Sequence, residues 1–209
     1  MRIVKKHDER RGEILDAAEK LFHSVGYEGC SVNDILKEVG IAKGTFYHYF
    51  KSKEEAMDAV IERNVDIIME KVRKVANKEA VDPLNKLMGA FQAMRMEEME
   101  EEGMLEDLHR PDNALLHQKS LSKIVDAMAP VLQEIIEEGI EKGAWNCQYP
   151  LQYMQIYLAA ALTLTDEGIF ETDEENQQQL MVALISLLEK ILEVPEGQFL
   201  GAYPRGWRE

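Results

Sequence analysis

Cysteine is nearly absent from this chain: Cys30 and Cys147 are the only two in 209 residues, and they stand far apart. They offer no disulfide framework; a single Cys30–Cys147 bridge stays open as the alternative, and reduced thiols in a cytoplasm are the expectation. Long apolar runs are missing too. The longest, Ile156 to Leu164, falls far below the roughly 20 residues that a membrane span requires. The charged N-terminus lacks the apolar segment of a signal peptide, so a cytoplasmic protein without a membrane partner is expected. Beyond residue 54 there is no Gly-rich phosphate loop, no Ser-His-Asp or Cys-His arrangement and no His or Cys at metal spacing. An enzyme is therefore not expected, nor a cofactor. His109 and His117 have neither a partner at i+4 nor a nearby cysteine, so no metal site is expected from spacing alone.

Positive charge is scarce overall, with 24 Lys or Arg against 39 Asp or Glu and a net charge of −15. Its distribution matters more than its sum. Residues 1–53 hold ten Lys or Arg and eight Asp or Glu, a net of +2, while the remainder carries −17. Such a basic head can bind phosphate in front of an acidic body, because screening over roughly 8 Å in physiological salt hides distant charge.

That head contains the stretch SVNDILKEVGIAKGTFYHYFKSK, from Ser31 to Lys53. Ser31 and Asp34 have the spacing of a capping box, which predicts a helix start. Val32, Ile35, Leu36 and Val39 follow at helical spacing, and Gly40 stops the pattern. A second short helix opens at Ala42 to Lys43, with Phe46 and Phe50 assigned to packing. Lys43, Gly44, Thr45, Tyr47, His48 and Tyr49 are left to face outward. A helix-turn-helix presents such a second helix to the DNA major groove. Ahead of it, Ile14, Ala18, Leu21, Phe22 and Val25 predict a helix from about Asp8 to Val25, ended by Gly26. Residues 1–7 read as a frayed basic terminus or as an arm on the phosphate backbone or minor groove.

Over residues 14–57 the sequence ILDAAEKLFHSVGYEGCSVNDILKEVGIAKGTFYHYFKSKEEAM resembles the N-terminal domain of TetR-family transcriptional regulators. The matching features are Ala17-Ala18 with Leu21-Phe22, Gly26-Tyr27, Ser31-Val32, Gly40-Ile41, Lys43-Gly44-Thr45, Tyr47, Phe50 and Lys53. The resemblance implies that Ser31 and Asn33 face DNA, that Lys43, Gly44, Thr45, Tyr47, His48 and Tyr49 form the recognition surface, and that Lys53 binds a phosphate. Ser31 reads as both cap and contact, and Tyr49 as either core or contact. Hydroxyls suit phosphate oxygens, while Lys43, Asn33 and His48 suit base edges.

The rest of the chain predicts further helices: Lys53 to about Asn77, one opened by Asp82-Pro83, a short one at Leu105 to His109, and one from Asp112. Pro130 interrupts continuing periodicity in the last of these, so a kink or a break is expected there. Two closing helices, about 151–169 and 173–194, are apolar on more than one face. A second apolar stripe needs a second partner, and a twofold mate supplies it, forming a homodimeric four-helix bundle. The resemblance implies the same use of these helices. The expected fold is all-α, with about nine or ten helices: a helix-turn-helix DNA-binding domain at 1–53 and a ligand-binding and dimerisation domain at 54–209.

The expected function is a ligand-responsive transcriptional repressor that binds a palindromic operator in double-stranded DNA as a homodimer and is released by a small apolar or aromatic effector. Met88, Phe91, Met94, His117, Met128 and Tyr157 are the candidate effector residues, chosen because flexible methionines and aromatic rings accept varied apolar guests. Each methionine also reads as ordinary core. The alternatives are a ligand-independent DNA-binding dimer and an enzyme with an appended helix-turn-helix.

Overall fold

In the first 50 residues, one apolar stripe after another is closed off by a glycine or a cap, and three helices result. The computed structural model describes residues 2–94, 107–171 and 173–199, with side chains from His7 onward. Among them are eight α-helices: α1 (Arg2–Val25), α2 (Val32–Val39), α3 (Lys43–Tyr49), α4 (Lys53–Ala76), α5 (Pro83–Met94), α6 (Ala114–Glu141), α7 (Pro150–Leu164) and α8 (Glu174–Ile191). A single 3-10 turn, Pro111–Asn113, precedes α6. The expectation of an all-α fold holds. No described helix is long and apolar enough to cross a membrane.

The chain divides into two compact units, Met1–Val65 with Glu97–Ser120 and Asp66–Met96 with Leu121–Glu209. In the first, Ile14, Ala18 and Phe22 of α1, Ile35 of α2, Phe46 of α3 and Met57 of α4 are fully buried. The four-residue spacing of Ile14, Ala18 and Phe22 places them on one face of α1. Polar ties fix the angles between these helices. Arg63 of α4 donates from its two terminal nitrogens to Asp16 and Glu19 of α1, each at 2.6 Å. Lys20 of α1 pairs with Glu38 of α2 at 2.5 Å.

Asn113 is fully buried, at 0% exposure. Its Oδ1 accepts from the Tyr27 amide at 2.7 Å, and its Nδ2 donates to the carbonyls of Phe22 at 3.0 Å and Asp107 at 2.7 Å. The Glu28 amide donates to the Asp112 carbonyl nearby at 3.0 Å. Close approach there requires Gly26: its φ is +80° and a Cβ would lie 2.4 Å from that of Asp112.

In the second unit α7 and α8 pack on each other. Trp145 is buried over Gly139, where an added Cβ would lie 2.2 Å from the indole ring, and it meets Phe199 edge-on at 6.2 Å. Glu189, itself buried, accepts from the amides of Gly197 and Phe199, at 2.9 and 2.7 Å. The segment after α8 is thus irregular and held by one carboxylate as far as Phe199.

Three features differ from expectation. The first helix begins at Arg2 rather than near Asp8, so the basic stretch is helical. Nothing in its sequence breaks a helix, and the charges that mark it as a tail are compatible with a solvated helix. Helix α6 runs unbroken through Pro130. That proline is exposed, and on a solvent-facing side the carbonyl it leaves unpaired is free to take water. Helix α7 ends at Leu164 rather than Ile169: the Thr165 amide and hydroxyl both donate to the Ala161 carbonyl, at 3.0 and 2.8 Å, and the Asp166 carboxylate accepts from the Gly168 amide in the turn that follows. Of the short helix expected at Leu105 to His109, only residues 107–108 are described as helical. The glutamate run 97–102 lies outside the described residues.

Candidate nucleic-acid interface

Helix α2 starts where its sequence says it must. The Ser31 hydroxyl accepts from the Asp34 amide at 3.3 Å while the Asp34 carboxylate accepts from the Ser31 amide at 3.0 Å and from its hydroxyl at 2.5 Å. The capping box is complete. The hydroxyl bond, followed by the backbone bond, holds the Asp34 carboxyl below its ordinary range. Gly40 closes the helix in the left-handed region at φ +74°, its amide donating to the Leu36 carbonyl. Three residues later α3 begins, with Ala42 as its cap.

One face of α3 is fixed by Phe46, which is fully buried, and by its C-cap Phe50, 5.8 Å away ring to ring. The other face is open. Lys43, Gly44, Tyr47 and His48 are exposed, Thr45 and Tyr49 half-buried, and no acidic residue occurs in the helix. A Cβ added at Gly44 would meet nothing within 4 Å. The Lys43 ammonium lies 5.8 Å from the Tyr47 ring centroid, an arrangement in which the ring's negative face attracts the cation. On α2, Ser31 and Asn33 are exposed as well. Both residues assigned to packing, Phe46 and Phe50, are in the core.

Lys53 is turned toward the protein. Its Nζ donates to the carbonyls of Tyr27 at 2.6 Å and Cys30 at 2.8 Å and lies 4.1 Å from the Tyr27 ring centroid. It thereby fixes the turn between α1 and α2. An ammonium has three donors, which leaves one beyond the two carbonyl bonds. Burial, opposed in part by the Lys53 charge, pushes the Cys30 thiol up, which suits an inert core cysteine rather than a reactive one.

His7 was not legible as part of this surface. Its ring packs at 4.6 Å from Tyr49 and 5.8 Å from His48, and Tyr49 and His48 are themselves in edge contact at 5.0 Å. The helical N-terminus of α1 therefore adds an exposed imidazole to the end of α3. The available signal was the absence of any helix breaker before Asp8.

The six candidate effector residues are not gathered in one unit. Met88, Phe91, Met94, Met128 and Tyr157 belong to the unit formed by Asp66–Met96 and Leu121–Glu209, His117 to the other. Phe91 of α5 and Tyr157 of α7 are in ring contact at 5.7 Å. Met128 is fully buried, while Met88, Phe91 and Met94 are half-buried.

A short helix, rigidly backed by aromatics and carrying only cationic, hydroxyl and imidazole groups outward, is chemically matched to phosphate oxygens and base edges. Known proteins place the chain in a family. The family described as "Bacterial regulatory proteins, tetR family" matches residues 14–60, and "Tetracyclin repressor-like, C-terminal domain" matches residues 98–189. The HTH-type transcriptional repressor KstR2 of Mycobacterium tuberculosis is 30% identical over 146 residues, which cover 68% of this chain and 72% of that protein. The HTH-type transcriptional activator FasR of Mycolicibacterium smegmatis is 36% identical over 86 residues, 41% of this chain and 39% of its own. A TetR-family transcriptional regulator of Pectobacterium atrosepticum shares the fold with a TM-score of 0.65 at 22% identity, covering 92% of this chain and 98% of that one. With the helix-turn-helix and the C-terminal region both matched, the chain is a DNA-binding transcriptional regulator rather than an enzyme, and it belongs to the TetR family.

Proposed function

We propose that this regulator is a cytoplasmic repressor, binding a palindromic operator as a homodimer and leaving it when a small apolar or aromatic effector is bound. The observation that carries the reading is the outward face of α3: Lys43, Tyr47 and His48 exposed, Gly44 open to approach, and no carboxylate among them. In this reading Lys43, Asn33 and His48 reach base edges. Ser31, Thr45, Tyr47, Tyr49 and the third donor of Lys53 take phosphate oxygens. The reading sets the DNA-binding domain at 1–53 and the effector and dimer domain at 54–209.

A single seven-residue helix reads few base pairs, so two copies are needed, about 34 Å apart to meet successive major grooves. The second apolar stripe of α7 and α8 supports a twofold interface there. Ile156 is 63% exposed, and Leu164, Val182 and Leu187 are exposed with it. Repression rather than activation follows the longer alignment, with the repressor KstR2. The effector reading rests on Met88, Phe91, Met94, Met128 and Tyr157, flexible or aromatic groups of one unit that includes the Phe91–Tyr157 ring contact. Release requires only that the effector bind better to a geometry with misplaced heads, by a factor that limits the response.

Fluorescence anisotropy with a duplex from beside the protein's own gene tests the reading. Tight, salt-dependent binding by a sedimentation-verified dimer is expected, weakened strongly by Lys43→Ala and by Tyr47→Ala. Unchanged affinity in both variants would overturn the assignment of α3. A monomer at micromolar concentration would overturn the paired arrangement.

A further inference from the structure

His109 and His117 are eight residues apart, a separation that on a continuous helix would put them two turns apart. The chain does not run continuously there. The 3-10 turn Pro111–Asn113 folds residues 107–110 back toward the start of α6, and both histidines belong to the same compact unit. Their rings meet at 5.1 Å between centroids with a tilt of 44°, and one ligand nitrogen of each lies within 4.8 Å of the other. We propose that His109 and His117 form a two-imidazole site for a divalent transition-metal ion of the zinc, cobalt, nickel or copper class.

The geometry needs little change. Two nitrogens on one tetrahedral ion at about 2.0–2.1 Å stand about 3.3 Å apart, so from a separation within 4.8 Å the pair has to close by at most about 1.5 Å. His117 is 8% exposed on the first turn of α6 and is the fixed ligand; His109, half-buried, closes on it. The neighbouring cation is already engaged. Arg110 lies 3.9 Å from Asp107 and 3.7 Å from Asp112, and donates to the carbonyls of His23 at 3.3 Å and Ser24 at 3.1 Å. Nitrogen ligands without thiolate select zinc and its neighbours over soft Cu(I) and over the oxygen-seeking Mg²⁺ and Ca²⁺.

An ion held between residues 109 and 117 brackets Asn113, whose amide joins the Tyr27, Phe22 and Asp107 backbones, and clamps that segment in place. The site is independent of the proposed apolar effector, and it makes His117 a metal ligand rather than an effector contact.

The test uses the full chain without an affinity tag, stripped with a chelator and titrated with Co²⁺ and then Zn²⁺. Expected are uptake of one ion per chain, cobalt ligand-field bands displaced by zinc, and slower amide exchange across residues 107–119. His109→Ala and His117→Ala should each weaken uptake at least about tenfold, since even outer-shell losses cost that much. His48→Ala, which removes an imidazole from the other ring cluster, should leave uptake unchanged. Because His117 is buried, circular dichroism accompanies each variant, and the half-exposed His109→Ala decides the matter if His117→Ala fails to fold. Absence of saturable uptake, equal uptake by His109→Ala and the unaltered chain, or loss of uptake in His48→Ala would overturn the proposal.

Discussion

Gly44 separates folding from DNA binding more cleanly than any other position. It is the second residue of α3, and a Cβ built there meets nothing within 4 Å. Replacing it should therefore cost the fold nothing. Glycine in a helix is about 0.5–1 kcal/mol worse than alanine, and about 1 kcal/mol moves Tm by roughly 2–4 °C in a chain of this size. Gly44→Ala and Gly44→Leu should hold Tm or raise it by up to about 4 °C. Binding should respond in the opposite direction. A leucine at this point stands between α3 and the duplex and lifts neighbouring donors beyond hydrogen-bond distance. Breaking one two-pronged hydrogen bond to a base edge costs about 1–3 kcal/mol, about tenfold or more in affinity. Two heads per operator make about a hundredfold weakening the minimum expected for Gly44→Leu, with a smaller effect for alanine. Thermal melts and duplex anisotropy on the same preparations measure both. Undiminished affinity in Gly44→Leu would refute α3 as the reading helix, and a lowered Tm would refute the openness of its outer face.

Three further perturbations probe the frame that holds this surface. Asn113→Ala strands the Tyr27 amide and the Phe22 and Asp107 carbonyls in a buried site. At about 1–3 kcal/mol per orphaned group, and less than additively, a destabilisation of about 3–5 kcal/mol is expected as a lower urea midpoint. Gly139→Ala drives a methyl into the Trp145 ring, 2.2 Å from its nearest carbon. Overpacking of about 1–3 kcal/mol should outweigh the helix gain, lowering Tm and shifting Trp145 emission to the red. Ser31→Ala removes the hydroxyl that holds the Asp34 carboxyl low. A depressed carboxyl stabilises above its unfolded pKa and loses that contribution as pH falls through its folded one. The destabilisation by Ser31→Ala, followed by melts from about pH 7 down to about pH 2, should therefore shrink with acid.

The parts of the fold written in local chemistry were legible. Ser31 and Asp34 fix a helix start, Gly40 fixes its stop, and Phe46 with Phe50 fixes which side of α3 faces inward; each depends on residues at most four apart. Pro130 left a kink or a break open, and the unbroken helix excludes the break; what a proline costs depends on which side of α6 it occupies, and exposure is a tertiary property. Helix α7 ends in a turn where the Asp166 carboxylate accepts from the Gly168 amide, a local bond that apolar periodicity does not register. The inward turn of Lys53 and the packing of His7 against Tyr49 both arise from contacts between segments more than twenty residues apart. The His109–His117 pair was hidden for a similar reason: motif spacing assumes a continuous element, and the chain turns at Pro111.

The most direct measurement of the central claim is photocrosslinking from a duplex carrying 5-bromouracil at successive positions of the bound sequence, followed by mass-spectrometric mapping of the attached residue. Crosslinks from major-groove positions to Lys43, Tyr47 or His48, abolished by high salt, are predicted. Attachment confined to α4 or to residues after Ala76, with none on α3, would contradict the account.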